Sequence, residues 1–112
     1  MPKKATRTYS RITGHAAALL GKLIKIARKE RKMTAKDLAD RAGISRGLLR
    51  RIEKGNLKCQ VGVVFEVATL VGIKLFDADE SSLTARIRQA DDKIALLTKH
   101  IHSTKKVITD DF

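Results

Sequence analysis

The sequence predicts an all-α protein, in which a compact bundle of four to five helices is followed by a further amphipathic helix. Two observations carry this prediction. Apolar residues recur at three- and four-residue spacings along most of the chain. Serine and threonine stand where short helices would begin, and glycine stands where they would end. Only residues 73–76 have a pattern typical of a β-strand, and they are predicted to form either a short strand or a packed linker.

The first elements are an arm and a helix. Residues 1–13 are basic and contain few apolar groups, which predicts a flexible arm. Residues 15–32 have apolar side chains at helical spacing with basic side chains among them. This segment is the expected first helix of a domain that spans residues 14–76.

Two short helices joined by a glycine turn follow. Thr34 is expected to cap a helix over 35–42, which Gly43 ends in the left-handed conformation. Ser45 is expected to cap a third helix over 46–54. The pattern TAKDLADRAGISRGLLRRIEKG therefore predicts a helix-turn-helix.

The rest of the chain is predicted to be helical with a flexible end. A nearly all-apolar fourth helix is expected over 63–71. Residues 77–102 form an amphipathic pattern whose apolar positions are spaced 4, 3, 4, 3 and 4 residues apart. These positions are Leu83, Ile87, Ala90, Ile94, Leu97 and Ile101. Such a stripe predicts contact with a dimer partner or another protein, or packing against the chain's own domain. Residues 103–112 are expected to be a flexible tail.

The excess of positive charge lies in the first half of the chain. Residues 1–58 contain 17 Lys and Arg against 4 Asp and Glu, a net of +13, and residues 59–112 contain 7 against 8, a net of −1. Together they give the formal net charge of +12. This asymmetry predicts a polyanionic partner for the first half. Nucleic acid is the leading candidate, an anionic membrane surface the weaker one, and a role in solubility alone the third.

Composition excludes several classes of protein. No apolar stretch is long enough for a membrane span, and the one at 16–20 is too short for a signal-peptide core. Cys59 is the only cysteine, so no internal disulfide forms, which favours the cytoplasm. Only 4% of residues are aromatic, which disfavours platforms that stack on bases.

The third helix has an apolar arc and a cationic arc. At about 100° per residue, Leu48, Leu49 and Ile52 share one side. The opposite side contains Arg46, Gly47, Arg50, Arg51 and Lys54. Such a helix can bury its apolar arc and enter the major groove with the other, so Arg46, Gly47, Arg50 and Arg51 are the candidate base-reading residues. The fork of arginine matches O6 and N7 of guanine, which favours a guanine-containing half-site. The alternative is an exposed helix whose cations only aid solubility.

Other residues are candidates for phosphate contact and for structural support. The phosphate candidates are Thr34, Lys36, Ser45, Lys54, Asn56 and Lys58. Phosphate contacts position a protein on DNA without specifying a sequence. Glu53 lies beside the apolar arc of the third helix, and Arg28 of the first helix is its expected salt-bridge partner.

These residues resemble the XRE family of DNA-binding domains, which includes the phage lambda repressor and Cro. The likeness covers about residues 19–73 and rests on LGKLIKIARKERKMTAKDLADRAGISRGLLRRIEKG followed by VVFEVATLVGI. It implies a lambda-repressor-like bundle that binds a double-stranded DNA operator as a homodimer. By position, the family's base-reading residues fall on Arg46, Gly47 and Arg51, its phosphate contacts on Thr34, Ser45 and Asn56, and its core ion pair on Arg28 and Glu53. Ala35 stands where many members have glutamine, which puts that residue's usual contact with DNA in question.

A narrower resemblance is to HipB-type antitoxins, which are encoded beside HipA-type kinase toxins. It rests on FEVATLVGIKLFDAD, the amphipathic segment behind it and the ending ITDDF. It implies a repressor of its own operon that binds a HipA-type kinase toxin, with an intersubunit strand at 73–76 and an aromatic chain end in a partner pocket. The candidate dimer or partner contacts are Phe65, Ile73, Leu75, Phe76, Leu83, Ile87, Ile94, Leu97, Ile101 and Phe112.

No cluster of residues predicts catalysis, a cofactor or a metal site. His100 and His102 are two residues apart on a helix, point about 200° from each other and so share no face. The prediction is a regulator that is not an enzyme and needs no cofactor or metal. Two alternatives stay open beside membrane-surface binding: a stand-alone or phage-type repressor without a toxin partner, and a module that sequesters a toxin and binds DNA secondarily.

Overall fold

A computed structural model describes residues 7–108, which form five α-helices and one short 3₁₀ turn. The helices are α1 (Arg11–Glu30), α2 (Ala35–Ala42), α3 (Arg46–Glu53), α4 (Val61–Leu70) and α5 (Glu80–Ile108), and the turn is Leu75–Asp77. The described residues contain no strand, and the predicted all-α fold is confirmed. The chain divides into two compact units, Met1–Leu75 and Phe76–Phe112.

The first unit packs α1 to α4 around one apolar core. Both α1 and α2 pack against α3, and α2 also packs against α4. The core side chains are Ile24, Leu38, Ala39, Leu49, Ile52, Val67, Ala68 and Val71. Burying one leucine or isoleucine contributes roughly 1.5–3 kcal/mol relative to leaving it in water. Because Leu49 and Ile52 are buried, the cationic arc of α3 faces outward.

A capping box begins α2. The backbone N–H of Asp37 donates to Thr34 Oγ1 at 3.0 Å, and the backbone N–H of Thr34 donates to Asp37 Oδ2 at 3.1 Å. Two orphan donors of the first turn are thereby satisfied. Hydrogen bonding from the backbone and then the side chain of Thr34 lowers the pKa of the Asp37 carboxyl.

The turn between α2 and α3 is formed by the predicted glycine and serine. Gly43 has a φ of 70°, the left-handed conformation that favours glycine. The N–H of Ile44 then donates back to the carbonyl of Ala39 at 3.0 Å. Ser45 begins α3, since its Oγ accepts the N–H of Leu48 at 3.0 Å. The two helices of the pair are therefore set by local capping.

Helices α1 and α3 approach each other closely where Gly21 faces the end of α3. A Cβ at position 21 would lie 2.5 Å from the carbonyl oxygen of Glu53 and 2.6 Å from that of Ile52. Any side chain there would force the two helices apart. Gly21 is not among the predicted residues, although a glycine inside a helix costs about 1 kcal/mol relative to alanine and so signals close packing.

The helix ends differ from the prediction at both termini. Helix α1 begins at Arg11, so residues 11–13 belong to a helix and not to the predicted flexible arm. Helix α5 runs to Ile108, so residues 103–108 are helical where the sequence predicts a flexible tail. Apolar periodicity locates the middle of a helix better than its ends. Residues 7–10 precede the helix, and residues 1–6 and 109–112, with Phe112, lie outside the described residues.

Residues 73–76 form the predicted linker and not the alternative strand. Phe76 has a φ of 57° and Asp77 one of 53°, left-handed values that a strand does not accommodate. Ile73 and Leu75 are half-buried and pack against the core of the first unit. Within the single chain this segment is therefore a packed linker, and an intersubunit strand at 73–76 and partner contacts by Ile73 and Leu75 stay predictions.

The second unit begins with the capped end of a long helix. Asp79 Oδ1 accepts the backbone N–H of Ser82 at 2.8 Å and the hydroxyl of Ser81 at 3.0 Å. Arg86 Nη1 donates to the carbonyl oxygen of Phe76 at 2.7 Å. These bonds join the first turns of α5 to the residues that precede it.

The heptad stripe of α5 is solvent-exposed along most of its length. Ile87 and Ile94 are each 60% exposed, Leu97 is 50% exposed and Ile101 is 53% exposed. Leu83, at the start of the stripe, is half-buried. No helix among residues 7–108 combines the length and the apolar character that a bilayer crossing requires.

Candidate nucleic-acid interface

A basic groove of about 750 Å³ lies between α1, the start of α2 and α3. Six of the predicted DNA-contacting residues line this groove. Arg46, Gly47 and Arg50 belong to α3, Lys54 follows it, and Thr34 and Lys36 lie at the start of α2. Lys25, Arg28, Ala35 and Glu53 complete the lining. Because the groove runs along the exposed arc of α3, a polyanion seated there would meet positive charge from all three helices.

Among the described residues, the arginines of α3 have no acidic partner. Arg46, Arg50 and Arg51 are exposed. The ion pairs among the described residues join Arg28 to Glu53 and Lys36 to Asp40, and none involves these three arginines. Their charge is therefore available to an external anion.

Glu53 lies beside this arc, and Arg28 neutralises its charge. Arg28 Nε donates to Glu53 Oε2 at 2.7 Å, and Arg28 Nη2 donates to Glu53 Oε1 at 3.1 Å. Arg28 Nη1 also donates to the carbonyl of Met33 at 3.0 Å. The hydrogen bond to Glu53, with the attraction of its charge, raises the pKa of Arg28 against the opposing effect of burial. The structure thus brings together the two residues that the sequence pairs, and the end of α3 is fixed to α1.

Three polar side chains near helix ends use their acceptor atoms within the chain. They are Thr34, Ser45 and Asn56, which accept the backbone N–H groups of Asp37, Leu48 and Lys58. The hydroxyl and amide groups of these side chains are donors as well as acceptors. Each of the three therefore keeps donor hydrogens for a phosphate oxygen while its acceptor atom holds the side chain in place.

Some of the predicted DNA-contacting residues do not line the groove, and one residue that does line it was not predicted from the sequence. Arg51 is exposed at the far edge of the cationic arc, about 140° from Arg46 on the helical wheel. Asn56 and Lys58 lie on the loop between α3 and α4. Lys25 lines the groove although the sequence interpretation does not single it out. Its signal is its position three residues before Arg28, on the same face of a helix.

Lys36 is less available than the other candidate cations. Its Nζ donates to Asp40 Oδ2 at 3.0 Å, one turn along α2. An exposed pair of this kind is weak, so a phosphate can replace the carboxylate. Lys36 therefore remains a phosphate candidate at the edge of the groove.

Neither packing nor backbone conformation among the described residues requires a glycine at position 47. A Cβ at position 47 would meet only Ser45 Oγ, at an ordinary contact distance of 3.8 Å. The residue lies within α3, where glycine costs about 1 kcal/mol relative to alanine. Because Gly47 has no side chain, another molecule can approach the backbone of α3 closely at this point of the exposed arc.

Apolar surfaces lie apart from the basic groove. Phe65 lines a crevice of about 160 Å³ with residues of α1, α3 and α4 and of the loop before α4. Phe76 is 67% exposed. Helix α1 also leaves four aliphatic residues exposed, Ile12, Leu19, Leu23 and Ile26. Of the candidate partner contacts in the described residues, those on α5 form the longest continuous row.

The paired helices α2 and α3 and the basic groove beside them are features of the helix-turn-helix class of DNA-binding domains. Residues 24–76 match the protein-family model described as helix-turn-helix, and they form a helix-turn-helix domain of the XRE type. The family indicates a sequence-specific DNA-binding regulator of transcription. The match begins inside α1 and ends at the 3₁₀ turn, so α5 lies beyond it. Comparisons with curated proteins and with solved structures each gave no match.

Proposed function

We propose that the protein is a repressor that binds a double-stranded DNA operator as a homodimer, with α3 in the major groove. The observation that carries this proposal is the exposed cationic arc of α3, whose arginines form no ion pair within residues 7–108. Buried Leu49 and Ile52 and the Arg28–Glu53 pair fix the direction in which that arc faces. A helix whose cations only aid solubility would not need its orientation to be fixed in this way.

The residues of the interface divide into base readers and phosphate contacts. Arg46, Arg50 and Arg51 read base edges, because a guanidinium can donate two parallel hydrogen bonds to guanine. Gly47 lets the backbone of α3 approach the groove. The phosphate contacts are Thr34, Lys36, Ser45, Lys54, Asn56 and Lys58. This division follows from the geometry of the helix-turn-helix class, in which the second helix enters the groove and the first crosses the backbone.

The homodimer sets the form of the operator. Two copies of α3 related by a two-fold axis would read half-sites about 10 bp apart, centre to centre. A palindromic operator with that spacing is therefore expected. The exposed apolar row of α5 is the feature that best supports dimer contact.

We further propose that the protein is the antitoxin of an operon that encodes a HipA-type kinase toxin. The resemblance of FEVATLVGIKLFDAD and of the ending ITDDF to HipB-type antitoxins supports this role. The exposed apolar row of α5 offers a surface for a protein partner. In this role the protein represses its own operon and binds the toxin.

Selection of duplexes from a random pool by the full chain tests the DNA-binding proposal. The expected result is a palindromic sequence bound about 10³-fold or more tightly than its scrambled version. With six to ten phosphate contacts, affinity for both duplexes should fall by about 10³–10⁵ between 50 and 200 mM salt. A pool that is not enriched for any sequence would contradict sequence-specific recognition.

The antitoxin role has its own test. If a HipA-type kinase gene lies beside this one, its product is co-expressed with the full chain or with residues 1–78. Recovery of the kinase with the full chain alone supports the role of α5. Equal recovery with both chains assigns the contact to the first unit, and the absence of a kinase gene beside this one favours a stand-alone repressor.

A further inference from the structure

Helix α5 has the residue pattern of a two-stranded parallel coiled coil. Every apolar position of its stripe falls on an a or a d position of one heptad register. The a positions are Ile87, Ile94 and Ile101, and the d positions are Leu83, Ala90 and Leu97. β-Branched residues at a with leucine at d favour two parallel strands over higher oligomers. The a positions are 53–60% exposed, so more than half of each side chain is left uncovered by the described residues.

The charges beside the stripe are complementary in the parallel arrangement. Arg86 precedes the a residue Ile87 and is therefore at g, and Asp91 follows the d residue Ala90 and is at e. In a parallel coiled coil, a g residue of one helix faces the e residue five positions further along the other helix. Position 91 is five residues after position 86. Two copies of α5 would therefore place Arg86 of each beside Asp91 of the other.

The antiparallel arrangement is disfavoured by the same charges. It brings the g rows of the two helices together, and the g row of α5 contains Arg86 and Lys93. Like charges at facing positions repel. Both the facing charges and the choice of aliphatic residues therefore favour the parallel orientation over the antiparallel one.

We propose that α5 pairs with α5 of a second copy as a parallel, in-register coiled coil that is fixed by two reciprocal Arg86–Asp91 ion pairs. The proposal deepens the homodimer of the proposed function and rests on it. Arg86 already donates through Nη1 to the carbonyl of Phe76. Because a guanidinium has five N–H donors, this bond leaves donors for the carboxylate of a second copy. The bond also limits the side-chain freedom that Arg86 would lose on pairing.

Charge reversal followed by mixing tests the register. The variants Arg86→Glu and Asp91→Arg each place like charges at both facing positions of a homodimer. Sedimentation equilibrium should show that each variant alone self-associates at least tenfold more weakly than the wild type. A 1:1 mixture should form a heterodimer with wild-type affinity, because each glutamate then faces an arginine and each Asp91 faces Arg86. A mixture that associates no better than the separate variants would overturn the proposal.

Two matched controls lie on the same helix. Arg88→Glu and Asp92→Arg make the same changes of charge at the b and f positions, which point away from a coiled-coil partner. Both should retain wild-type self-association. If they weaken it as much as the variants at 86 and 91, net charge and not register decides dimerisation, and the proposal fails.

A disulfide tests the orientation. Ile87→Cys in a Cys59→Ala background places one thiol on each copy. In the parallel coil the two 87 positions face each other within the Cα separation of about 4.4–6.8 Å that a disulfide spans. Mild oxidation should therefore cross-link the dimer, and an uncross-linked dimer would contradict the parallel arrangement.

DNA binding by the same samples separates this proposal from the function on which it rests. If α5 does not form the coil, Arg86→Glu and Asp91→Arg will remain dimers and will still prefer the duplex selected by the wild-type protein. If the proposed function is wrong instead, sedimentation and disulfide cross-linking will give the results expected for the coiled coil. The protein will then bind no duplex in preference to another. Each result overturns one proposal without bearing on the other.

Discussion

The guanidinium of Arg28 and the carboxylate of Glu53 form two hydrogen bonds, of 2.7 and 3.1 Å, that join the last turns of α1 to the end of α3. The Arg28 and Glu53 side chains are only 10% and 9% exposed. Because the arginines that face outward lie on the same short helix, this pair helps to set the angle at which α3 presents them. The same ion pair therefore joins α1 to α3 and orients the proposed recognition helix.

Removal of one member of this pair should destabilise the first unit. Glu53→Ala leaves a buried guanidinium without its carboxylate, which we expect to cost about 3–5 kcal/mol in the free energy of unfolding by urea. Glu30→Ala, at an exposed acid, should change it by less than about 0.5 kcal/mol. The double variant Arg28→Met, Glu53→Leu should recover most of the loss. Equal stability of Glu53→Ala and the Glu30 control would contradict this account.

Gly21→Ala should destabilise the protein through packing alone. The added Cβ would lie 2.5 Å from the carbonyl oxygen of Glu53, so α1 must move away from α3. Overpacking of this kind typically costs about 1–3 kcal/mol. Thermal and urea unfolding should both show the loss, and a gain in stability would mean that α1 does not approach α3 so closely.

Gly47→Ala should change folding and DNA binding in opposite directions. The new Cβ meets only Ser45 Oγ, at an ordinary contact distance of 3.8 Å, so the helix should gain about 0.5–1 kcal/mol of stability. If the backbone of α3 lies against the groove floor, the same methyl group should weaken binding to the selected duplex about tenfold or more. Unfolding and fluorescence anisotropy on one preparation give both quantities. Unchanged affinity would place Gly47 away from the DNA.

The capping box should lose its contribution in acid. The pKa of Asp37 is lower in the folded chain than its unfolded value of about 3.9, so the contribution of its charge is fully present above that value. It is lost as the pH falls through the folded pKa. The difference in unfolding free energy between wild type and Asp37→Ala should therefore be constant above about pH 5 and shrink below about pH 4. A difference that stays constant to pH 2 would contradict a role for the ionised carboxylate.

Local signals predicted the helix-turn-helix, and tertiary contacts account for what they missed. Thr34, Gly43 and Ser45 act through hydrogen bonds or dihedral angles within a few residues, which a sequence pattern records directly. The close approach at Gly21 depends on how two distant segments pack, so the sequence contains only a weak sign of it. Lys25 belongs to the groove for the same reason.

Residues 73–76 are the segment for which the sequence left two alternatives open, a short strand and a packed linker. Its alternation of apolar residues fits a strand, yet the half-buried Ile73 and Leu75 pack on the core and the backbone turns at Phe76. A short apolar run does not by itself separate a strand from a packed linker. The tertiary core decides between them.

The most direct test of α3 as the recognition helix is the ratio of dissociation constants for scrambled and selected duplexes, measured for Arg51→Ala and Lys58→Ala at one salt concentration. Loss of a base contact costs about 1–3 kcal/mol on the selected duplex alone. We therefore expect the ratio for Arg51→Ala to fall by about 5- to 150-fold. Lys58→Ala, which removes a proposed phosphate contact, should weaken binding to both duplexes equally and preserve the ratio. An equal loss on both duplexes for Arg51→Ala would contradict base reading by this residue.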